Sequence, residues 1–218
     1  MAPATGIVFI ALVIVAIILV GEGQDATEKS AEEIAAFYQD NEDKQSIGAF
    51  VVGLASVFFL FFAGHLRRLL RDAEGPGGML SAVSFAGAIV FVTGAAVVAT
   101  INLALADLAN DIDPVALQAI NGITWDYYIP FVVGMTPFLF AAGLCAVRTG
   151  ALPKWLGWIA MVLGVVSYTP LGFFAFLLGL VWILVVSVML TVRARSAPGA
   201  PSAPGGPAAP GVPGTPTA

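Results

Sequence analysis

Ile47-Gly48-Ala49-Phe50-Val51-Val52-Gly53-Leu54-Ala55-Ser56-Val57-Phe58-Phe59-Leu60-Phe61-Phe62-Ala63-Gly64-His65-Leu66 is an unbroken run without Asp, Glu, Lys or Arg, and its reading decides the fold. About 20 apolar residues in a helix cross the hydrocarbon core of a bilayer. Backbone N–H and C=O groups in lipid must be satisfied within the segment, so the run predicts a transmembrane helix. It is apolar on every face, which excludes the alternating pattern of a barrel strand. Arg67 and Arg68 follow it directly, as expected where a helix leaves the membrane on the cytoplasmic side.

Five further runs of this kind surround it. Spans are expected at about 5–20, 47–66, 79–105, 127–147, 152–168 and 171–192, giving an all-α, polytopic six-helix bundle over residues 1–195. The composition agrees: 59% of the 218 residues are hydrophobic and 11% charged, with a mean hydropathy of +0.94. A soluble domain carries about 25% charged residues. The first run is short and could be read as a signal peptide. However, residues 1–6 hold no Lys or Arg, and Gly21-Glu22-Gly23-Gln24 offers no A-x-A cleavage pattern, so an uncleaved helix is expected.

Basic residues collect in cytoplasmic loops. With the N-terminus inside, Arg67, Arg68, Arg71, Arg148, Lys154, Arg193 and Arg195 fall inside, and only Lys29 and Lys44 outside. Of the acids, only Asp72 and Glu74 fall inside, and the other twelve lie outside. The expected topology is therefore multi-pass, with both termini cytoplasmic. Trp125, Tyr127 and Tyr128 at one interface and Trp155 and Trp158 at the other suit aromatic belts.

The first outer loop carries Ser30 and Glu33 at capping-box spacing, followed by Ile34, Phe37 and Tyr38 on one helical stripe. A short helix over 31–39, lying on the outer surface, is predicted. Beyond Arg195, proline recurs every third residue from Pro198 to Pro216 among Gly, Ala, Ser and Thr. Such a segment builds no core, so 196–218 reads as a disordered, polyproline-II-like cytoplasmic tail. Arg195-x-x-Pro198-x-x-Pro201 has the form of a proline-motif ligand, a form that a tail so biased produces by composition alone.

Chemistry is sparse. His65 and Cys145 are the only residues of their kinds, which excludes an intramolecular disulfide and catalytic histidine pairs. No Asp, Glu, Lys, Arg or His lies deep in any span. Buried ionisable groups usually mark proton relays and ion pathways, so their absence counts against a proton-coupled pump and an intramembrane hydrolase. Asp107, Asp111, Asp113 and Asp126 are hard oxygen ligands and the candidates for a metal. A turn that caps a helix at Pro114 explains them as well, so neither a metal nor a cofactor is expected. Pro130, Thr136 and Pro137 mark a kink that could line a cavity: Pro137 frees the carbonyl of Val133, which Thr136 could help to satisfy. Gly48 and Gly53, then Gly87 and Gly94, supply small faces for close helix packing. Phe59-Leu60-Phe61-Phe62-Ala63-Gly64 and Phe138-Leu139-Phe140-Ala141-Ala142-Gly143 read either as a duplicated helical hairpin, as in transporters, or as chance in a small apolar alphabet.

Leu152-Pro153-Lys154-Trp155-Leu156-Gly157-Trp158 followed by Val162-Leu163-Gly164 resembles a pattern in uncharacterised six-helix membrane proteins. These are of a domain-of-unknown-function type frequent in high-GC Gram-positive bacteria. Phe37-Tyr38-Gln39-x-Asn41 and Arg148-Thr149-Gly150 are similar to the same group. The resemblance spans roughly residues 31–193 and implies six helices and a bacterial plasma membrane. It carries no activity and no catalytic residue.

Three function classes follow: a non-catalytic accessory or scaffold, a small transporter or channel for a neutral or lipid-like solute, and an enzyme at the outer interface using Asp107 or Asp126. A water-accessible cavity between the third and fourth spans would favour transport. The expected partners are the lipid bilayer and a membrane protein or second copy. With no basic patch, nucleic acid is not among them.

Overall fold

The computed structural model describes residues 2–21, 28–126 and 128–196, with side chains left undescribed at 2, 124–126 and 128. After a 3-10 turn at Ala2–Ala4, the chain forms eight α-helices among the described residues. They are α1 (Thr5–Val20), α2 (Ala31–Asp40), α3 (Glu42–Glu74), α4 (Met79–Leu108), α5 (Pro114–Asp126), α6 (Tyr128–Thr149), α7 (Lys154–Val166) and α8 (Gly172–Ser196). The expected tail at 196–218 falls outside the described residues from 197 on.

Four helices are long and apolar enough to cross a membrane: α3, α4, α6 from Ile129, and α8. The remaining apolar helices, α1 and α7, have 16 and 13 residues. At 1.5 Å per residue they reach about 24 and about 20 Å, short of a hydrocarbon core about 30 Å thick. In contrast, α3 has 33 residues and runs well past both limits of its apolar stretch, 47–66. Its extension is held by Leu66 and Leu70, which stay buried in the core, and ends at Gly75 with φ 81° just before Pro76. Hydropathy thus marks where lipid would end, whereas tertiary contacts and a glycine C-cap mark where the helix ends.

The six apolar helices close into a ring. Each packs on the next in chain order, α1–α3–α4–α6–α7–α8, and α8 returns to α1. Phe59 on α3 sits at the centre, fully buried. Its ring meets Phe9 at 4.9 Å, Phe91 at 5.3 Å and Phe138 at 5.3 Å, joining α1, α4 and α6. Phe138 in turn meets Trp182 on α8 at 6.2 Å, edge to face. Edge-to-face pairs are each worth about 0.5–1.5 kcal/mol beyond area burial. The indole N–H of Trp182 donates to the Leu156 carbonyl at 2.9 Å, tying α8 to α7. The Ser187 hydroxyl donates to the carbonyl of Pro3, closing the ring at its arginine-rich end.

Prolines and glycines register α4 against α6. A Cβ placed on Gly87 would lie 2.5 Å from Phe138 N and 3.0 Å from Pro137 Cγ, and one on Gly94 would lie 3.1 Å from Pro130 Cβ. Two glycines seven apart therefore receive two prolines seven apart. On the facing helix, a Cβ on Gly134 would lie 2.3 Å from Phe91 N. The same device joins α6 to α7, where a Cβ on Gly143 would lie 2.4 Å from the Gly157 carbonyl oxygen. Close backbone approach of this kind is the usual packing mode in lipid, where burial of apolar surface supplies little drive.

The acid-rich end carries a cap. Ser30 and Glu33 form the capping box of α2: Glu33 N donates to Ser30 Oγ at 3.2 Å, and Ser30 N donates to the Glu33 carboxylate at 2.8 Å. The predicted bounds of this helix hold to one residue. Its apolar stripe, however, does not lie on an outer surface: Ile34, Ala35 and Tyr38 are buried against Leu105, Ala109 and Leu117 of the α4–α5 region. Periodicity locates an apolar face, but only the fold decides whether lipid or protein covers it.

Candidate functional site

In the acid-rich half of the ring, α1, α3, α4, α6 and α8 do not meet at the centre. They leave a cavity of about 250 Å³. Phe9 and Phe91 form its floor, Val20, Gly21 and Asn102 lie at its rim, and Phe131 and Phe176 stand on the α6 and α8 side. From Phe9 to Val20 the α1 wall runs about 16 Å at 1.5 Å per residue. Small side chains create the space: Ala16, Ala55 and Ala95 line it where larger residues would close it.

The lining is apolar except at two points. Ser56 Oγ donates to the Val52 carbonyl of its own helix at 2.9 Å, which leaves its oxygen able to accept. Asn102 lines the rim, and no described residue hydrogen-bonds its side chain. No charged side chain lines the cavity among the described residues. The sequence signal for this site was weak: Ala16, Ala55 and Ala95 lie on three separate helices, and only the fold brings them together.

The kink residues lie elsewhere. Pro130 and Pro137 pack on α4 as described, and neither lines the cavity. The α4–α6 crossing is closed by backbone contact at Gly87 and Gly134. Thr136 Oγ1 is buried with no hydrogen-bond partner among the described residues, so it does not satisfy the carbonyl that Pro137 frees. Instead, the Ser84 hydroxyl on α4 donates to Phe138 O at 3.0 Å.

Of the packing glycines on α3, Gly48 faces α1, where an added Cβ would lie 2.7 Å from Val20 Cγ2, whereas nothing lies within 4 Å of a Cβ at Gly53. Gly134, Gly143 and Gly157, not singled out in the sequence, bring helix backbones together at their crossings. They are single glycines whose partners sit on other helices, a pairing that no local spacing reveals.

The acidic candidates are dispersed. Asp107, Asp111 and Asp113 do not converge, and the side chain of Asp126 lies outside the described residues. Among the described residues no three His, Cys, Asp or Glu side chains come together in a metal-binding group. Asp113 accepts from Val115 N at 2.9 Å and so caps α5 just before Pro114, the alternative that the sequence offered. Nearby, the buried Tyr38 hydroxyl donates to Asn121 Oδ1 at 2.8 Å, and Gln39 Nε2 donates to the Ala109 carbonyl at 2.7 Å. Burial pushes the Tyr38 phenol up to about 12. The backbone and side-chain hydrogen bonds with Ser30 hold the Glu33 carboxyl below the usual carboxylate range.

At the arginine-rich end the groups are structural. The Glu74 carboxylate accepts from Leu80 N at 2.8 Å and Ser81 N at 3.0 Å, which satisfies the open first turn of α4. Arg67 lies over the Phe85 ring at 5.1 Å. Cys145 is buried, with its Sγ 3.7 Å from the Leu70 carbonyl. Trp155 and Trp158 are exposed.

No protein-family model matches this chain, and no curated protein and no solved structure is significantly similar to it. What the fold itself defines is an all-helical protein with four helices long and apolar enough to cross a membrane.

Proposed function

We propose that this chain is a non-catalytic accessory or scaffold protein of a bacterial plasma membrane. In this reading it crosses six times, with both termini in the cytoplasm, and works through a membrane protein or a second copy. The observation that carries the reading is the chemistry of its interior. The buried polar residues are Gln45, Ser56, Ser81, Ser84, Asn121, Ser167 and Ser187 among the described residues, and none is titratable. Apart from the Tyr38 phenol in the cap and the Cys145 thiol, the described residues bury no titratable side chain, so the interior offers no buried carboxylate or imidazole as a proton relay or general base.

Six spans follow because α1 and α7 are apolar and sit in the same ring as the four longer helices. Two short spans are accommodated when the bilayer thins locally or flanking residues reach to the interface. The seven bases at one end and the acids at the other set the orientation. The resemblance to the uncharacterised six-helix bacterial proteins supports the same count and location.

The test is native mass spectrometry of the full-length protein, extracted in nanodiscs from its own membrane. A co-purifying protein or a defined homo-oligomer is the expected result. An activity that disappears with Asp107→Asn or Asp126→Asn at unchanged protein level would overturn the non-catalytic reading in favour of an enzyme at the outer interface. The cavity favours a second reading, binding or passage of a lipid-like solute.

A further inference from the structure

We infer that the cavity between α1, α3, α4, α6 and α8 is a binding site for an uncharged lipid. Its apolar chain would occupy the space between Phe9 and Val20, and its hydroxyl or carbonyl head would hydrogen-bond the Asn102 amide at the rim. The inference rests on the membrane reading above and goes beyond the accessory role.

Three features carry it. The first is volume. An apolar cavity of about 150 Å³ already admits a benzene-sized guest. At about 250 Å³ this cavity holds more than that, and its depth, about 16 Å at 1.5 Å per residue, suits a chain rather than a compact ring. The second is the polar group. Apolar pockets orient their ligands with a few placed polar groups. The Asn102 amide offers both a donor and an acceptor, and no described residue engages it.

The third is charge. No charged side chain lines the cavity among the described residues, so a charged head has no counter-ion there. The same end of the bundle bears Glu42, Asp43, Asp107 and Asp111, against two bases, Lys29 and Lys44. An anionic phosphate head would meet net repulsion, whereas a hydroxyl or carbonyl head does not. Access is lateral. Ile17 both lines the cavity and is 55% exposed, so the α1 wall is one side chain thick on the side that would face lipid.

The full chain in nanodiscs would be titrated with radiolabelled dioleoylglycerol as the neutral probe and with phosphatidylglycerol of the same chains as the anionic one. Saturable binding of one diacylglycerol per chain, at least tenfold preferred over phosphatidylglycerol, is the expected result. Asn102→Leu keeps the side-chain size and removes the hydrogen bond, which predicts a loss of about 3- to 10-fold in affinity. Ala95→Phe fills the space and abolishes binding, with Val13→Phe as a second filling variant should the first fail to fold. Equal retention of both lipids, or binding unchanged in Asn102→Leu and in the folded filling variant, would overturn the inference and make the cavity a crevice filled by bulk lipid. A protein absent from the membrane fraction would instead refute the membrane reading.

Discussion

Replacing Gly134 by alanine tests the α4–α6 crossing on which the ring depends. The added Cβ would lie 2.3 Å from Phe91 N and 2.6 Å from Phe91 Cα, where ordinary contact begins at 3.4 Å. Both neighbours are backbone, so no rotamer change relieves the clash, and α4 must retreat by about 1 Å. That retreat stretches the Ser84–Phe138 hydrogen bond, now 3.0 Å, beyond reach. Overpacking costs about 1–3 kcal/mol and a lost hydrogen bond about 1 kcal/mol. Alanine's better helix propensity returns about 0.5–1 kcal/mol. The net expectation is a destabilisation of about 2 kcal/mol, close to 30-fold in the unfolding equilibrium. The matched control is Gly53→Ala, where nothing lies within 4 Å, and which should stabilise by the propensity difference of about 0.5–1 kcal/mol. Both are read by reversible unfolding in mixed detergent micelles, following tryptophan fluorescence. Gly134→Ala as stable as wild type, or Gly53→Ala as damaging as Gly134→Ala, would refute the backbone-contact account.

Other outcomes follow from the cap and the loops. Tyr38→Phe removes the donor to the buried Asn121 and should cost about 1–2 kcal/mol in the same assay. Tyr38 itself should resist ionisation until about pH 12. Because its folded value is raised, its contribution is intact below the ordinary tyrosine range and is lost as pH rises through about 12, which ultraviolet difference titration reads. Glu33 has the opposite sign. Its carboxyl is held low, so its contribution is present above the usual carboxylate range and is lost on acidification below it. Hydrogen exchange of the α2 amides should accelerate there, and Glu33→Gln should flatten that dependence. Glu74→Gln weakens the anionic cap of α4 and should destabilise by about 0.5–1 kcal/mol, an effect that falls with added salt.

The helical class and the four long apolar helices were legible because runs of that length and hydropathy are seldom anything but membrane-spanning helices. The capping box at Ser30 was legible because its partners lie three residues apart. By contrast, the length of α3 was hidden: Leu70, buried in the core, holds it helical beyond the point where Arg67 ends the apolar run. The destination of the α2 stripe was hidden for the same reason, since Leu105 and Leu117 lie far along the chain. The cavity depends on where three alanines on separate helices stop filling space, and the proline–glycine pairing on the register of α4 against α6. Both are properties of the packed bundle.

Of the six proposed membrane crossings, α1 and α7 are the shortest, at 16 and 13 residues. With the buried Cys145 replaced by serine, single cysteines would be placed at Ala2→Cys and Glu32→Cys, flanking α1, and at Arg148→Cys and Tyr168→Cys, flanking α7. An impermeant maleimide would then be applied to intact cells. Labelling of the Glu32 and Tyr168 positions alone, with Ala2 and Arg148 reacting only after permeabilisation, is the predicted result. Labelling of both members of either pair from outside, or of neither, would show that the helix between them does not cross.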